Sequence, residues 1–112
     1  SLPEDATLPS DLFGSVAENF LQNALEKRKL ENNLRILVKL QWQDGFVLSV
    51  CDDGAPVPTS VAAQLFNAPV QSSSGLGVAM YQVARFAREQ GYEIALSSNQ
   101  QGQVCFTLSR PA

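Results

Sequence analysis

The sequence predicts an α+β fold, a two-layer sandwich in which helices cover one face of a mixed, mostly antiparallel sheet. Three observations predict it. Apolar residues recur with helical spacing in two long stretches, they alternate with polar residues in four others, and the order is helix, hairpin, helix, hairpin. A sheet with one apolar face needs a second layer to bury that face, and two amphipathic helices can supply it.

The first long stretch predicts a helix over residues 11–29, with Ser10 as its N-cap. Asn19 and Asn23 flank its apolar stripe. They are four residues apart and therefore lie on one face of the helix. Because amides are unusual in that position, we treat both residues as candidates for a functional role.

The most regular alternation, over residues 34–43, predicts the first strand of a hairpin. The apolar pattern of the next strand then decides the loop. A three-residue loop at 43–45 sets Leu40 opposite Leu48, whereas a two-residue loop would set polar residues opposite apolar ones on the same face. We therefore expect the three-residue loop, with Gly45 at positive φ.

The second half of the chain predicts a short helix, a polar loop, a second amphipathic helix and a second hairpin. The helix-like run covers residues 60–66, the loop 67–74 and the long helix 77–90, which stops at Gly91. Alternating strands follow, joined by residues 99–102.

Length and composition describe one globular domain. A chain of 112 residues buries roughly two-thirds of its unfolded surface, which is enough for one core without disulfides or metal ions. The net charge is −3, and no Lys or Arg occurs between Lys39 and Arg85. This distribution argues against binding to nucleic acid or to an anionic membrane surface.

Histidine is absent from the sequence, which excludes histidine-based triads, histidine metal sites and a phosphoacceptor histidine within this chain. The two cysteines, Cys51 and Cys105, lie in apolar, strand-like runs. We interpret them as buried free thiols in a reducing compartment, with a disulfide as the alternative. No apolar run approaches the ~20 residues of a membrane span, and no signal peptide is visible.

Asp52 follows the apolar residues Phe46, Leu48 and Val50 in the alternation, so its carboxylate lies at the end of a buried row. A buried carboxylate requires a hydrogen-bond donor from the protein or from a ligand. Further on, residues 74–77 read SGLG at the start of a helix, where unpaired N–H groups and the helix dipole favour an anion. Together the two features indicate a nucleotide.

Three motifs in this order resemble the ATP-binding domain of histidine kinases. Residues 18–24 read ENFLQNA and resemble the N box, residues 50–58 read VCDDGAPVP and resemble the first glycine box, and residues 74–79 read SGLGVA and resemble the second. The resemblance runs from about Pro9 to Pro111. It implies the Bergerat-type fold shared with gyrase, the mismatch-repair ATPases and a heat-shock chaperone.

The resemblance also implies ATP and Mg²⁺ as cofactors and a role for each matching residue. Asp52 would accept from the adenine amino group, Gly54 would let the backbone approach the base, and Asn23 would ligate Mg²⁺. Asn19 would face the phosphates, and residues 75–77 would wrap them. The nucleotide-binding residues that we predict are Asn19, Asn23, Lys27, Asp52, Gly54, Val57, Gly75, Leu76 and Gly77, with Asn23 as the metal ligand.

The sequence departs from the family pattern at four places. The second glycine of the first glycine box is Pro56, and the loop expected to form the ATP lid is short and lacks Lys and Arg. The position three after Asn23, often basic in these kinases, is Glu26, with Lys27 as the nearest substitute for a phosphate contact. Finally, Asn19 stands where hydrolysing relatives carry a Glu, which favours phosphoryl transfer over ATP hydrolysis.

We therefore predict the ATP-binding catalytic domain, residues 1–112 with an extended lead-in at 1–9, of a bacterial two-component sensor histidine kinase. This protein-histidine kinase would transfer the γ-phosphoryl group to a histidine on a separate dimerisation domain, and its catalytic residues in this chain are unknown. The expected partners are that domain and a response regulator. We expect a cytoplasmic, monomeric domain within a homodimeric parent anchored in the inner membrane. The alternatives are a degenerate regulatory module of the same fold and an anti-sigma-type serine kinase.

Overall fold

The computed structural model describes residues 7–67 and 76–111. In chain order the elements are α1 (Ser10–Leu30), β1 (Ile36–Trp42), β2 (Phe46–Asp52), α2 (Thr59–Ala62), α3 (Leu76–Glu89), β3 (Glu93–Gln100) and β4 (Gln103–Ser109). None of the helices within these residues is long and apolar enough to cross a membrane.

The sheet has the strand order β1-β2-β4-β3, and each neighbouring pair of these described strands is antiparallel. Helix α1 contacts β2 and β4, α3 contacts β3, and the two helices contact each other. The α+β sandwich is therefore confirmed, although no parallel pairing occurs among the described strands. The side chains most completely buried between the layers are Phe20, Leu12, Met80, Leu108, Val16 and Val104.

Helix α1 begins one residue earlier than the sequence predicts. Pro9 is the N-cap, and its carbonyl oxygen accepts the first intrahelical bond from Phe13 N at 3.0 Å. Ser10 is already helical, and no side chain caps the end. The prediction that Ser10 is the N-cap is therefore wrong, because proline has a fixed φ that suits the residue entering a helix.

The β1–β2 hairpin has the predicted three-residue loop. Leu40 lies opposite Leu48 in the register of the two strands. Gly45 has a φ of 142°, as expected, and Asp44 also has a positive φ, 56°. The loop is closed by a bond from Gln43 N to the carbonyl oxygen of Gly45 at 2.8 Å.

The second half follows the prediction with shifted boundaries. Helix α2 is shorter than the predicted 60–66 run, and turns continue from its end to Asn67. Helix α3 ends at Glu89, one residue before the predicted end. Gly91 follows as the expected stop, with a φ of 79°, and Tyr92 N donates to the carbonyl oxygen of Ala87 at 2.8 Å. Strand β3 extends through Gln100, which pairs with Gln103, so the connection to β4 is shorter than predicted.

The two cysteines form a disulfide. Cys51 on β2 lies directly opposite Cys105 on β4, with their Cα atoms 4.1 Å apart. The prediction of buried free thiols is therefore wrong. The sequence could not reveal this, because the two residues are 54 positions apart and meet only where β2 and β4 become neighbours.

Candidate nucleotide-binding site

Asp52 ends strand β2 as a buried carboxylate, with the residue only 9% exposed. It pairs with Ile36 on one side and Val104 on the other, in the middle of the sheet. Its side chain therefore continues the buried row of Leu48 and Val50, as the alternation predicted. A charged group in this position requires donors close by.

Two protein donors converge on one oxygen of this carboxylate. Oδ1 of Asp52 accepts from the backbone N–H of Gly54 and from the Lys27 ammonium, each at 2.9 Å. The side chains of Lys27 and Asp52 are only 20% and 7% exposed, so the ion pair is largely shielded from water. Within residues 7–67 and 76–111, no group donates to Oδ2 of Asp52. One carboxylate oxygen is thus fixed by the protein, and the other can accept from a ligand.

Gly54 is required here by protein packing. A Cβ at this position would lie 2.5 Å from Leu34 Cδ1 and 2.7 Å from Glu31 Oε1. Both residues belong to the end of α1 and the connection to β1. A larger residue at position 54 would therefore push the turn away from α1, so the glycine keeps the backbone N–H in reach of Asp52.

The turn after Asp52 is held from two sides by residues far away in the sequence. On one side Glu31 accepts from Ala55 N at 3.1 Å. On the other side Asn99 of β3 accepts from Val57 N at 2.7 Å and donates to the carbonyl oxygen of Val57 at 2.9 Å. Sequence analysis did not single out Asn99, because its role depends on β3 lying beside this turn. Val57 itself packs against the core.

Asn19, Asn23 and Lys27 follow one another at four-residue intervals on α1, so they line one face of the helix. Asn19 and Asn23 are both half-buried. The Oδ1 atom of Asn19 is buried and has no hydrogen-bond partner among the described residues. A buried polar atom of this kind calls for a partner from outside the chain, and an amide oxygen is a suitable ligand for Mg²⁺.

Lys27 lies at the end of this helix face that is nearest to Asp52, and it also donates to the carbonyl oxygen of Ala55. The sequence suggested a phosphate contact for Lys27, whereas the structure places its ammonium on the carboxylate expected to bind the base. Its neighbour Glu26 turns the other way and pairs with Lys29 at 3.0 Å on the helix surface.

The second glycine box is described only in part. Leu76 begins α3, and Gly77 is buried in the first turn of that helix. Gly75 and the predicted lid, apart from Asn67, lie outside the described residues. The structure therefore brings Lys27, Asp52 and Gly54 together at the end of β2, with Val57 in the turn that follows. Asn19 and Asn23 lie on the preceding turns of α1.

The chain belongs to the family described as histidine kinase-, DNA gyrase B- and HSP90-like ATPase, which matches residues 9–112. The fold and the family together define an ATP-binding domain of this ATPase class. No curated protein matches the sequence.

Two solved structures are similar in fold. The mycobacterial sensor histidine kinase MprB has a TM-score of 0.69 at 20% identity, covering 96% of this chain and 78% of that one. Full-length ShkA in complex with AMPPNP has a TM-score of 0.70 at 22% identity, covering 95% of this chain. The chain spans 24% of the ShkA chain. Both likenesses fit the Bergerat-type fold that the sequence motifs imply.

Proposed function

We propose that residues 1–112 are the ATP-binding catalytic domain of a longer, bacterial two-component sensor histidine kinase. The domain would bind Mg-ATP and deliver the γ-phosphoryl group to a histidine on a separate dimerisation domain. The observation that carries the proposal is the buried Asp52 carboxylate, which has one oxygen fixed by Gly54 N and the other without a donor among the described residues. That arrangement suits the exocyclic amine of a purine.

Recognition of the purine base would work through Oδ2 of Asp52, to which no group of the described residues donates. The Gly54 N–H holds Oδ1 of Asp52, and this would leave Oδ2 for the ligand. A hydrogen bond from an amine to this charged acceptor contributes about 1.5–3 kcal/mol. The bonds from Asn99 and Glu31 keep the turn in place before the nucleotide arrives.

The amides of α1 would serve the phosphate end. We assign Asn23 as the protein ligand of Mg²⁺ through its amide oxygen, with Asn19 one turn earlier facing the phosphates. Oδ1 of Asn19 is buried and has no hydrogen-bond partner in the described part of the chain, which supports a ligand on this side of the helix. When bound, Mg²⁺ neutralises charge on the phosphates, and the remaining catalysis of phosphoryl transfer is positioning and electrostatic stabilisation.

Phosphoryl transfer fits these residues better than hydrolysis. An asparagine amide cannot take a proton from water, and Asn19 occupies the position where hydrolysing relatives carry a glutamate. The chain contains no histidine, so the acceptor must lie elsewhere. We therefore propose the kinase's own dimerisation domain as the immediate partner and a response regulator as the next acceptor. The domain itself would be a cytoplasmic monomer.

The first experiment is a calorimetric titration of the domain with Mg-ATP. Asp52→Asn should weaken binding by about tenfold or more, because a charged acceptor is lost. Asp53→Asn is the matched control. Its residue is exposed, and within residues 7–67 and 76–111 its carboxylate accepts only from Arg35 N at 2.8 Å, a bond that an amide oxygen can also accept. Absence of binding at millimolar Mg-ATP, or normal binding by Asp52→Asn, would overturn the proposal.

A second candidate is a regulatory module that keeps the fold without the nucleotide. It is favoured by the Lys27 ammonium, which already pairs with Asp52, and by Pro56 in the first glycine box. The two functions differ in thermal unfolding, since a ligand that binds only the folded state raises Tm. An unchanged Tm in saturating Mg-ATP would favour the regulatory module.

A further inference from the structure

The Lys27–Asp52 ion pair gives the base end of the site a donor as well as an acceptor. The ammonium is 2.9 Å from Oδ1 of Asp52, and it is held in place by a second bond to the carbonyl oxygen of Ala55. It is shielded from water on a side chain that is 20% exposed. Its position is therefore built by the fold, unlike that of Lys29, which is 70% exposed.

The position of Lys27 on α1 places it beside the purine base of the proposed nucleotide. Asn19, Asn23 and Lys27 occupy successive turns of one helix face, and each turn advances the chain by about 5.4 Å. If the first two face the phosphates and the metal, the third lies one turn beyond Asn23, toward Asp52 and the purine base. The ion pair at 2.9 Å agrees with this order along the helix.

A carboxylate alone discriminates between purines at the 6-position. It offers only acceptors, so it binds the 6-amino group of adenine and repels the 6-oxo group of hypoxanthine or guanine. An ammonium beside it changes this selection, because the pair then offers an acceptor and a donor side by side. The edge of a 6-oxopurine presents the complementary pair, with N1–H as a donor next to O6 as an acceptor.

We propose that Lys27 is a base-reading residue and that this site binds 6-oxopurine nucleotides as well as ATP. Oδ2 of Asp52 accepts from N1–H of the 6-oxopurine, and the Lys27 ammonium donates to O6. With adenine the base lies shifted along the pair, so that Asp52 accepts from the 6-amino group and Lys27 donates to N7. The inference rests on the proposed nucleotide-binding function and adds the class of base that the site accepts.

A purely structural role for Lys27 has a different signature. If the ammonium only compensates the buried charge of Asp52, removing it disturbs the carboxylate and weakens every nucleotide to a similar extent. If the ammonium reads the base, its removal weakens 6-oxopurines much more than ATP. The ratio of the two affinities therefore separates the roles, whatever happens to stability.

The experiment compares Mg-ATP with Mg-ITP, which differ only at the 6-position and the N1 proton that accompanies it. In the unaltered protein we expect the two dissociation constants to agree within about tenfold, since each base makes one hydrogen bond to Asp52 and one to Lys27. In Lys27→Met we expect the preference for ATP over ITP to rise by about tenfold or more, because O6 then meets only a carboxylate.

Lys29→Met is the control, since it removes a lysine from the same helix but from its exposed side. It should leave the ratio unchanged. An unaltered protein that binds ATP but rejects ITP by more than about a hundredfold overturns the inference and leaves the proposed function standing. An unchanged ratio in Lys27→Met also overturns it. If Lys27→Met does not fold, the affinities of the unaltered protein for ATP and ITP still test the inference.

A different result bears on the proposed function itself. If the unaltered protein binds neither nucleotide at millimolar concentration, the nucleotide site is absent and the inference falls with it. Binding of ATP therefore separates the failure of the base-reading role from the failure of the function on which it rests.

Discussion

Two turns lie at opposite ends of strand β2, and they are stabilised in different ways. The turn at residues 43–45 is local: Asp44 and Gly45 have positive φ, and one bond between Gln43 and Gly45 closes it. The turn at residues 53–58 depends on distant partners, since α1 and β3 supply the side chains that hold it. The local turn sets the register of a hairpin, whereas the distant contacts position a functional carboxylate.

The difference has a physical reason. A hairpin loop has only to reverse the chain, and residues that tolerate positive φ are sufficient for that. A binding turn has to hold Gly54 N and Asp52 in fixed positions against a ligand, and positions held only by the turn itself would relax too easily. Side chains from packed elements supply the rigidity that the short turn lacks.

Among the variants that test this difference between the two turns, Gly54→Ala should have the largest effect on stability and nucleotide affinity. Its Cβ would lie 2.5 Å from the buried Leu34, so we expect the free energy of unfolding to fall by about 1–3 kcal/mol. Nucleotide affinity should fall as well, because the displaced turn moves Gly54 N away from Asp52. Urea unfolding and calorimetry measure the two effects.

Gly14→Ala is the control for Gly54→Ala. Gly14 lies in α1, and a Cβ there would contact nothing within 4 Å. Alanine in a helix is favoured over glycine, so this variant should gain about 0.5–1 kcal/mol in stability and bind nucleotide normally. A Gly54→Ala variant as stable as the unaltered protein would contradict the packing role of Gly54.

Asn99→Ala tests the clamp between β3 and the binding turn. It removes two hydrogen bonds to the Val57 backbone, and each contributes about 0.5–1.5 kcal/mol, so stability should fall by roughly 1–3 kcal/mol. We expect weaker Mg-ATP binding in calorimetry because the turn loses one of its supports. The exposed neighbour Gln100→Ala should change neither quantity. Equal nucleotide affinity in both variants would show that the clamp does not serve the site.

Gly45→Ala perturbs the local turn and should have the smallest effect. The φ of 142° is strained for alanine, so we expect a loss of about 1 kcal/mol in stability, measured by urea unfolding. Nucleotide affinity should not change, since this turn is at the far end of β2. A loss of affinity comparable to that of Asn99→Ala would mean that the two turns are coupled through the strand.

The β1 strand illustrates how far sequence patterns reach. Its alternation predicted the strand and its register with β2, and both are confirmed. Val38 and Leu40 lie opposite Val50 and Leu48, which are buried, yet they are themselves 48% and 53% exposed. Strand β1 lies at the edge of the described sheet, where α1 contacts β2 and β4 but does not cover it as fully. Strand order decides this exposure, and local alternation does not encode strand order.

By itself the sequence determined the α+β class, the bounds of the long helices and strands to within a few residues, the three-residue hairpin loop and the burial of Asp52. Each of these depends on residues close together in the chain. The tertiary structure alone decided the Cys51–Cys105 disulfide, the pairing of Lys27 with Asp52 and the clamp from Asn99, whose partners are 54, 25 and 42 residues apart. Periodicity along a chain says which face a side chain occupies, but only the packing of strands and helices says what faces it.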